Sequence, residues 1–279
     1  MFCTPPPPTD NLILTFPSPH ILVVTINRPQ AMNCINTQTH SEMSQVWRWY
    51  DDEPSLRCAV VAGSSRGRRK AFCAGQDLKV EWDDIQSSDT GSLPVHPEGG
   101  FGGLSQRRGK KPVVAAVDGL ALGGGMEMLA NVDMVVASAS SILGLPEVKR
   151  GVAAFAGVLP RLTMSVGLQR ASELALTGRM LSSSEAREWG LVNRVVGDGE
   201  GEALTAAVAV AEEIAGNSPD SVIVSRAGLR SAWEGGSVEG ATRRVREGMG
   251  MGLGTGENFR EGLRAFAEKR EPKWVDSKL

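Results

Sequence analysis

The sequence predicts an α/β protein, because short apolar runs alternate with helical patterns before the chain continues with helices alone. The runs at residues 58 to 62, 112 to 117 and 133 to 137 are continuously apolar rather than alternating. Such runs are typical of strands that are covered on both faces. From about Gly201 onward, the apolar stripes have helical spacing. This order favours a core of strands and helices followed by a helical region.

The N-terminal elements follow from local patterns. Residues 20 to 27 are apolar and β-branched and stop at Arg28-Pro29, which predicts a strand that the proline ends. Residues 1 to 11 contain four consecutive prolines and are expected to form a flexible leader. Within residues 35 to 52, side chains at i, i+3, i+4 and i+7 predict the buried face of an amphipathic helix: Met43, Val46, Trp47 and Tyr50.

A polar segment separates the first two apolar runs. Residues 83 to 111 are rich in Gly, Ser and charge, and we expect a long mobile loop of the kind that often forms a lid. In the C-terminal part, Ser218-Pro219 predicts the start of a helix. Two helical stripes flank this start and need a packing partner, for which a neighbouring subunit is a natural candidate: Leu204, Val208, Ala211 and Ile214, then Phe259, Leu263 and Phe266 before Pro272.

Composition limits the function classes. The formal net charge of −2 gives no bulk attraction to nucleic acid or anionic membranes, so neither is expected as a partner. The four cysteines lack C-x-x-C and metal-ligand spacing, which predicts free thiols in a reduced compartment and no metal site. The histidines, none of which neighbours a G-x-S-x-G signature, are expected to be structural or surface residues: His20, His40 and His96.

The chain ends in Ser277-Lys278-Leu279, the tripeptide that addresses proteins to the peroxisome. We therefore expect localisation in the peroxisomal matrix and recognition by the peroxisomal import receptor. An import receptor needs a free, exposed carboxylate. The polar run around Asp276 and Lys278 predicts a solvated tail over residues 273 to 279.

Two glycine-containing segments and two glutamates are the candidates for chemistry. A-F-C-A-G-Q-D-L at residues 71 to 78 and G-L-A-L-G-G-G-M-E at residues 119 to 127 allow close approach of the backbone to a ligand. A helix predicted over residues 126 to 131 would direct free N–H groups at an oxygen that becomes negative during reaction. Glu127 follows the glycines, and Glu147 lies in an apolar neighbourhood; the alternative for each is a surface ion pair.

The motifs resemble those of the enoyl-CoA hydratase/isomerase (crotonase) superfamily, most closely a peroxisomal enoyl-CoA hydratase. The resemblance covers about residues 12 to 272, and the ordered set is highly specific. It comprises N-R-P-Q-A-M-N at 27 to 33, K-A-F-C-A-G-Q-D-L-K at 70 to 79, D-G-L-A-L-G-G-G-M-E at 118 to 127, L-G-L-P-E-V-K-R-G at 143 to 151, L-T-G-R at 176 to 179, W-G-L-V-N-R-V-V at 189 to 196 and A-F-A-E-K-R at 265 to 270.

The resemblance implies a mechanism without metal or redox cofactor, in which coenzyme A is part of the substrate. The backbone N–H groups of Gln76 and Gly124 match the oxyanion hole that polarises a thioester carbonyl. Glu127 matches the base that activates water for attack on C3, and Glu147 matches the acid that protonates C2. The implied reaction is hydration of a trans-2-enoyl-CoA to a 3-hydroxyacyl-CoA in peroxisomal fatty acid metabolism.

The resemblance also implies an architecture. It predicts a ββα spiral core over residues 12 to 200 and a C-terminal helical region over residues 201 to 272 that forms a homotrimer or a dimer of trimers. Lys79 and a neighbouring subunit's Lys269 match positions that face the coenzyme A phosphates, with ordinary solvated lysines as the alternative. The implied substrate-binding set also includes Ala31, Met32, Ala74, Gln76, Asp77, Leu78 and Gly124.

One departure and two alternatives remain open at the level of sequence. Residues 154 to 158 read A-F-A-G-V where the family usually has P-G-x-G-G, so Phe155 is expected to shorten or reshape the acyl pocket. A Δ3-Δ2-enoyl-CoA isomerase on the same scaffold needs only the second glutamate, and retention of Glu127 favours the hydratase. An RNA-binding role is disfavoured because no dense basic stripe is present.

Overall fold

The structure, a computed structural model, describes residues 2 to 66, 70 to 77 and 96 to 279. Two sheets form its core. The larger has the strand order β1-β2-β3-β5-β7-β10 and the smaller β4-β6-β8-β9. The strands are β1 Leu12–Thr15, β2 Ile21–Ile26, β3 Cys58–Gly63, β4 Ala71–Cys73, β5 Val113–Val117, β6 Leu120–Leu122, β7 Met134–Ser138, β8 Ile142–Gly144, β9 Met180–Ser182 and β10 Arg194–Val196.

The chain passes repeatedly from one sheet to the other. The successive pairs β3/β4, β5/β6 and β7/β8 each place their first strand in the larger sheet and their second in the smaller. Within each sheet these strands run parallel, and the antiparallel pairs are β1 with β2 and β8 with β9. This alternation builds the expected spiral and confirms the α/β class.

The continuous apolar runs are explained by burial on both faces of the larger sheet. In β3, Ala59 and Val61 face the main hydrophobic core. Their neighbours Cys58, Val60 and Ala62 face a second core on the other side. Because successive side chains of a strand point to opposite faces, a strand between two cores needs apolar residues at every position.

The helices pack around these sheets. They are α1 Thr37–Asp52, α2 Gly124–Leu129, α3 Val158–Val166, α4 Leu168–Thr177, α5 Ser183–Glu188, α6 Glu202–Ala215, α7 Pro219–Gly235, α8 Val238–Glu247, α9 Met249–Thr255 and α10 Glu257–Glu268. Helix α1 begins where the Asn36 side chain accepts the Thr39 N–H, and its predicted apolar stripe is buried. Ser218 caps α7, with Pro219 in the first turn, as the sequence predicts.

Helix α6 belongs to the core rather than to a separate helical region. Its residues Ala207, Val210, Ala211 and Ala215 form the second core together with β2, β3, β5 and β7. Leu204, Val208 and Ile214 of the predicted stripe are only partly buried beside it. The predicted domain boundary at residue 201 therefore falls just before α6, a core helix. The first C-terminal helix with no residue in either hydrophobic core is α7.

Two segments that the sequence predicts to be loose pack against the body. In the leader, the Phe2 ring lies 5.4 Å from that of Trp49, and Trp49 Nε1 donates to the Thr4 carbonyl. Of the predicted lid at residues 83 to 111, residues 83 to 95 lie outside the described part. The rest includes a 3-10 helix, Phe101–Gly103, whose residues are buried, so this portion is part of the core.

The C-terminal tail is also docked through several hydrogen bonds, although four of its seven residues are exposed to solvent: Lys273, Val275, Asp276 and Lys278. Val275 exchanges two hydrogen bonds with Asn258. The Ser277 hydroxyl bonds the Asp220 carboxylate, and Lys110 bonds the terminal oxygen of Leu279. The tail thus combines contacts with α7, α10 and Lys110 with partial exposure to solvent.

Candidate active site

The candidate site lies at the carboxyl edge of the smaller sheet. Strands β4, β6 and β8 are adjacent and parallel, so their carboxyl ends meet at the same edge. Gln76 follows β4, Gly124 and Glu127 follow β6, and Glu147 follows β8. Four residues from three distant parts of the sequence are brought together because each comes directly after one of these strands.

Gln76 and Gly124 are placed by main-chain contacts. Ile35 pairs with the Gln76 segment by donating its N–H to the Gly75 carbonyl (2.9 Å) and accepting the Asp77 N–H (3.0 Å). Gly75 has φ of +102°, and a Cβ atom placed on it would lie 3.5 Å from the Gly124 nitrogen. The two loops are therefore in close contact. Within the described residues, neither the Gln76 nor the Gly124 N–H has an acceptor, so both are available to a ligand.

Gly124 must be glycine because of Phe101. A Cβ atom at position 124 would overlap the Phe101 ring, which is buried and comes from the segment after the undescribed residues 78 to 95. The aromatic ring thus covers the start of α2. Phe101 was not predicted from the sequence because it lies in a polar segment. Its i, i+3 spacing with the buried Leu104 would have indicated a buried turn.

Glu127 lies inside the protein. It sits in the first turn of α2 and is only 4% exposed. The Val158 N–H at the start of α3 donates to its Oε2 (3.2 Å). A backbone donor stabilises the ionised form of a buried carboxylate. The sequence alternative of a surface ion pair is excluded for Glu127 within the described part of the chain.

Glu147 lies beside the same glycine loop that precedes Glu127. It begins a 3-10 helix, Glu147–Arg150, and a Cβ atom on Gly123 would lie 3.2 Å from its Oε1. Its Oε2 is buried and has no hydrogen-bond partner among the described residues. An unpaired buried carboxylate oxygen is costly when charged, so this group favours holding a proton or a water molecule.

Burial raises the pKa of both carboxyl groups. For Glu127, burial and the nearby negative charge of Glu147 raise the pKa to about 7, against the opposing effect of the Val158 and Ala156 amides. For Glu147, burial likewise raises the pKa. Like charges at close range do not both ionise easily. Near neutral pH the pair therefore tends to retain a proton, which is the state that acid and base catalysis by two carboxyls requires.

The structure places part of the predicted substrate-binding set beside this site. Ala74 donates its N–H to the Met32 carbonyl (3.1 Å), next to Ala31. Met32 is in a left-handed conformation and is partly exposed. The Asp77 carboxylate is occupied by an ion pair with Arg28 at 2.9 Å, so its side chain acts as a structural support rather than a free ligand group.

Three other predictions have different outcomes. Leu78 and Lys79 lie outside the described residues. Lys269 is exposed at the end of α10, which packs on α7 and α9, so its role toward a neighbouring subunit stays a prediction. Phe155 is 65% exposed while Ala154 and Ala156 are buried. Its side chain points away from the packed interior, and its effect on the acyl pocket stays a prediction.

The described residues show neither a metal site nor a membrane-spanning helix. They contain no group of three or more His, Cys, Asp or Glu side chains arranged to hold a metal ion. None of their helices combines the length and apolarity that crossing a bilayer requires.

The arrangement defines a class of chemistry. Two free backbone N–H groups can stabilise an oxygen that becomes negative, and a carboxyl pair that keeps one proton can remove and supply protons on either side of it. This combination suits enolate-forming reactions of a thioester. The arrangement is therefore consistent with the acyl-CoA thioester chemistry that the sequence motifs imply.

Comparison with known proteins identifies the family. A model of the enoyl-CoA hydratase/isomerase family matches residues 18 to 277, and the chain belongs to that family. It is 52% identical to the mevalonyl-coenzyme A hydratase SIDH of Beauveria bassiana, over 100% of this chain and 99% of the relative. It is 48% identical to the mevalonyl-coenzyme A hydratase sidH of Aspergillus fumigatus, over 98% of each.

Solved structures agree with this assignment. The crystal structure of an enoyl-CoA hydratase from Mycobacterium tuberculosis H37Rv superposes with a TM-score of 0.83 at 34% identity, covering 96% of this chain and 99% of that one. The crotonase fold predicted from the motifs is confirmed. The chain is an enzyme of this family, and its hydratase-named relatives are consistent with hydro-lyase activity.

Proposed function

We propose that this protein catalyses the reversible addition of water across the C2–C3 double bond of a 2-enoyl-CoA. The observation that carries the proposal is the convergence of Glu127 and Glu147 on the loop that also bears the Gly124 N–H. A pure isomerase needs only one proton-carrying carboxyl. The burial and raised pKa of Glu127 favour a reaction that uses both.

Each group has a defined step. The Gln76 and Gly124 N–H groups bind the thioester oxygen, which draws electrons from C3. Glu127 takes a proton from water as the water oxygen bonds to C3, and the electron pair of the double bond moves toward the thioester oxygen. Glu147 then gives its proton to C2, and the enolate collapses to a 3-hydroxyacyl-CoA. Proton return from Glu127 to Glu147 through solvent completes the cycle.

We propose a branched, hydroxylated acyl group as the substrate. Two relatives that match this chain over nearly their whole length are named mevalonyl-CoA hydratases. The mevalonyl group is 3,5-dihydroxy-3-methylpentanoyl, so loss of water across C2 and C3 leaves a 5-hydroxy-3-methylpent-2-enoyl thioester. This conversion is the same reaction in the reverse direction, on a branched rather than a straight acyl chain.

Ultraviolet absorbance tests this proposal because only the enoyl thioester is conjugated. We expect absorbance to appear with mevalonyl-CoA and to disappear with crotonyl-CoA in water, with the larger kcat/KM for mevalonyl-CoA. A larger value for crotonyl-CoA would reject the substrate proposal but keep the hydratase. Conversion of a 3-enoyl-CoA to a 2-enoyl-CoA without hydration would instead support the isomerase.

We also propose that the protein acts in the peroxisome, which the terminal Ser277-Lys278-Leu279 supports. Because the tail is docked through Asp220 and Lys110, the receptor would read it only after release. Fusion of a fluorescent protein to the N-terminus tests localisation. We expect peroxisomal puncta that become diffuse when residues 277 to 279 are deleted, and unchanged import would contradict the proposal.

A homotrimer or a dimer of trimers is the assembly we propose. Phe259, Leu263 and Phe266 of α10 are exposed in the single chain, and such an apolar stripe favours coverage by another subunit. Light scattering is expected to give three or six times the chain mass of 29.6 kDa. A monomer that remains active would contradict the assembly.

A further inference from the structure

His40 occupies a buried position between Gln76, which bears one free N–H group, and the Phe101–Gly103 turn, which packs on Gly124. It lies in the first turns of α1 and is 6% exposed. Its Nε2 is 3.1 Å from the Gln76 side-chain oxygen. Its Nδ1 is 3.1 Å from the Gly102 nitrogen. Of the two roles expected from the sequence, burial excludes a surface residue for His40 and leaves a structural one.

These contacts determine the protonation state of the ring. The Gly102 N–H is a donor, so Nδ1 must accept, and the remaining proton of a neutral ring then sits on Nε2 and is donated to Gln76. A doubly protonated ring has no acceptor for Gly102. Burial, opposed by the Gln76 hydrogen bond, lowers the pKa of His40 to about 4, in agreement with a neutral ring at physiological pH.

The Gly102 contact is connected to Gly124 through the Phe101 ring. Phe101, the neighbour of Gly102, packs edge-on against the His40 ring with centroids 4.7 Å apart. The same Phe101 ring lies directly against Gly124. By accepting the Gly102 N–H, His40 therefore fixes the turn that presses on the start of α2.

The second contact of His40 holds the loop that bears the Gln76 N–H. Among the residues that the structure describes, the Gln76 backbone is paired through a single isolated bridge to Ile35, which gives its segment little support from a strand ladder. The hydrogen bond from His40 fixes the Gln76 side chain as well, and α1 starts two residues after Ile35. One imidazole thus contacts Gln76 directly and is connected to Gly124 through the Phe101 ring.

We propose that His40 is a positioning residue of the oxyanion hole, which sets the separation of the Gln76 and Gly124 N–H groups through its two ring nitrogens. The inference rests on the proposed function, because it presupposes that these amides bind a thioester oxygen. His40 does not contact the substrate carbon atoms in this account. It acts on the reaction through the geometry of the two donors.

Two conservative variants separate the two contacts. In His40→Asn, Oδ1 stands where Nδ1 was and keeps an acceptor for Gly102, while the donor to Gln76 is lost. In His40→Gln, the side-chain nitrogen stands where Nε2 was and keeps the donor to Gln76, while the acceptor for Gly102 is lost. Ser41→Asn, on the exposed side of the same helix, is the matched control.

The readout is the infrared carbonyl band of bound butyryl-CoA labelled with carbon-13 at the thioester. This ligand has no C2–C3 double bond and cannot react. We expect a shift to lower wavenumber in the wild type and in Ser41→Asn, and a smaller shift in both His40 variants. We also expect kcat on the enoyl-CoA substrate to fall about 10-fold with little change in KM, because misplaced donors weaken binding of the transition state selectively.

The outcomes distinguish the two proposals. If the wild type shows no carbonyl shift, the oxyanion hole and with it the proposed function fail. If the wild type shows the shift and both His40 variants retain it, only the role of His40 is overturned, even where a fall in melting temperature lowers activity. A reduced shift in variants that keep the wild-type melting temperature supports the positioning role.

Discussion

The two loops of the candidate active site and the C-terminal tail are both held in place, but by different means. The Gln76 and Gly124 amides are positioned by parallel strands, an Ile35 bridge and a ring packed on glycine. The tail is held by separate side-chain contacts, including those of Asn258 and Asp220. Backbone-fixed groups keep their geometry without local reorganisation, whereas single side-chain contacts can open one at a time.

The largest expected effect concerns the carboxyl pair. We predict that Glu127→Gln and Glu147→Gln each lower turnover at least ~100-fold while acyl-CoA binding is retained, because each removes a proton-transfer group. Ultraviolet loss of the enoyl thioester measures turnover, and calorimetry measures binding. Glu188→Gln, at an exposed position of α5, is the control and should match the wild type. Full activity of the Glu127 variant would contradict the hydratase assignment.

A single methyl group should disturb the oxyanion hole. In Gly124→Ala, the new Cβ overlaps the Phe101 ring, and displacement of this N–H is expected to lower kcat by ~100-fold, the typical effect of losing one donor. Gly228→Ala in α7, where a Cβ meets no described atom within 4 Å, should leave kcat unchanged and raise stability by ~0.5–1 kcal/mol. Equal kinetics of the two variants would argue against Gly124 as a donor.

Burial of Glu127 should appear as a pH dependence of stability. Its folded-state pKa of about 7 exceeds the ordinary 4.5, so the wild type loses stability as pH rises from about 4.5 through 7. Glu127→Gln lacks this loss. We predict that the variant gains roughly 3 kcal/mol relative to wild type between pH 4.5 and 8, measured by urea unfolding. A constant difference would mean that Glu127 is not buried as described.

The tail should respond to a single substitution without any effect on catalysis. Asn258→Ala removes the contacts with Val275 and Asp220. We predict that carboxypeptidase digestion of residues 273 to 279 becomes a few-fold faster, as followed by mass spectrometry, while kcat stays at the wild-type value. Digestion at an unchanged rate would show that the tail is held by other contacts.

The difference between regions held by the backbone and regions held by side chains also explains which features of the fold and the site the sequence predicts. The strands β2, β3, β5 and β7 and the helix α1 follow from local apolar patterns and their breakers. The four candidate residues Gln76, Gly124, Glu127 and Glu147 belong to motifs that follow strand ends, and adjacent parallel strands then bring them together. Local sequence thus places each residue after a strand, while the pairing of β4, β6 and β8 brings the four together.

The remaining features depend on contacts between distant residues. His40 continues the apolar spacing of Met43 and Trp47, so its burial could be predicted, but its partners Gln76 and Gly102 could not. Docking of the tail requires Asp220 and Asn258, which no pattern near residue 277 indicates. The burial of Phe101 was not predicted because this residue lies within a polar segment of the sequence. In each case one side chain meets a partner that only the tertiary structure supplies.

The most direct test of the central claim is the crystal structure of the protein with a bound acyl-CoA, measuring two distances from the thioester oxygen. The account predicts ~2.7–3.1 Å to both the Gln76 and the Gly124 nitrogen, with the Glu127 and Glu147 carboxyl groups on either side of C2 and C3. A thioester oxygen bound to neither nitrogen, or carboxyl groups directed away from these carbons, would contradict it.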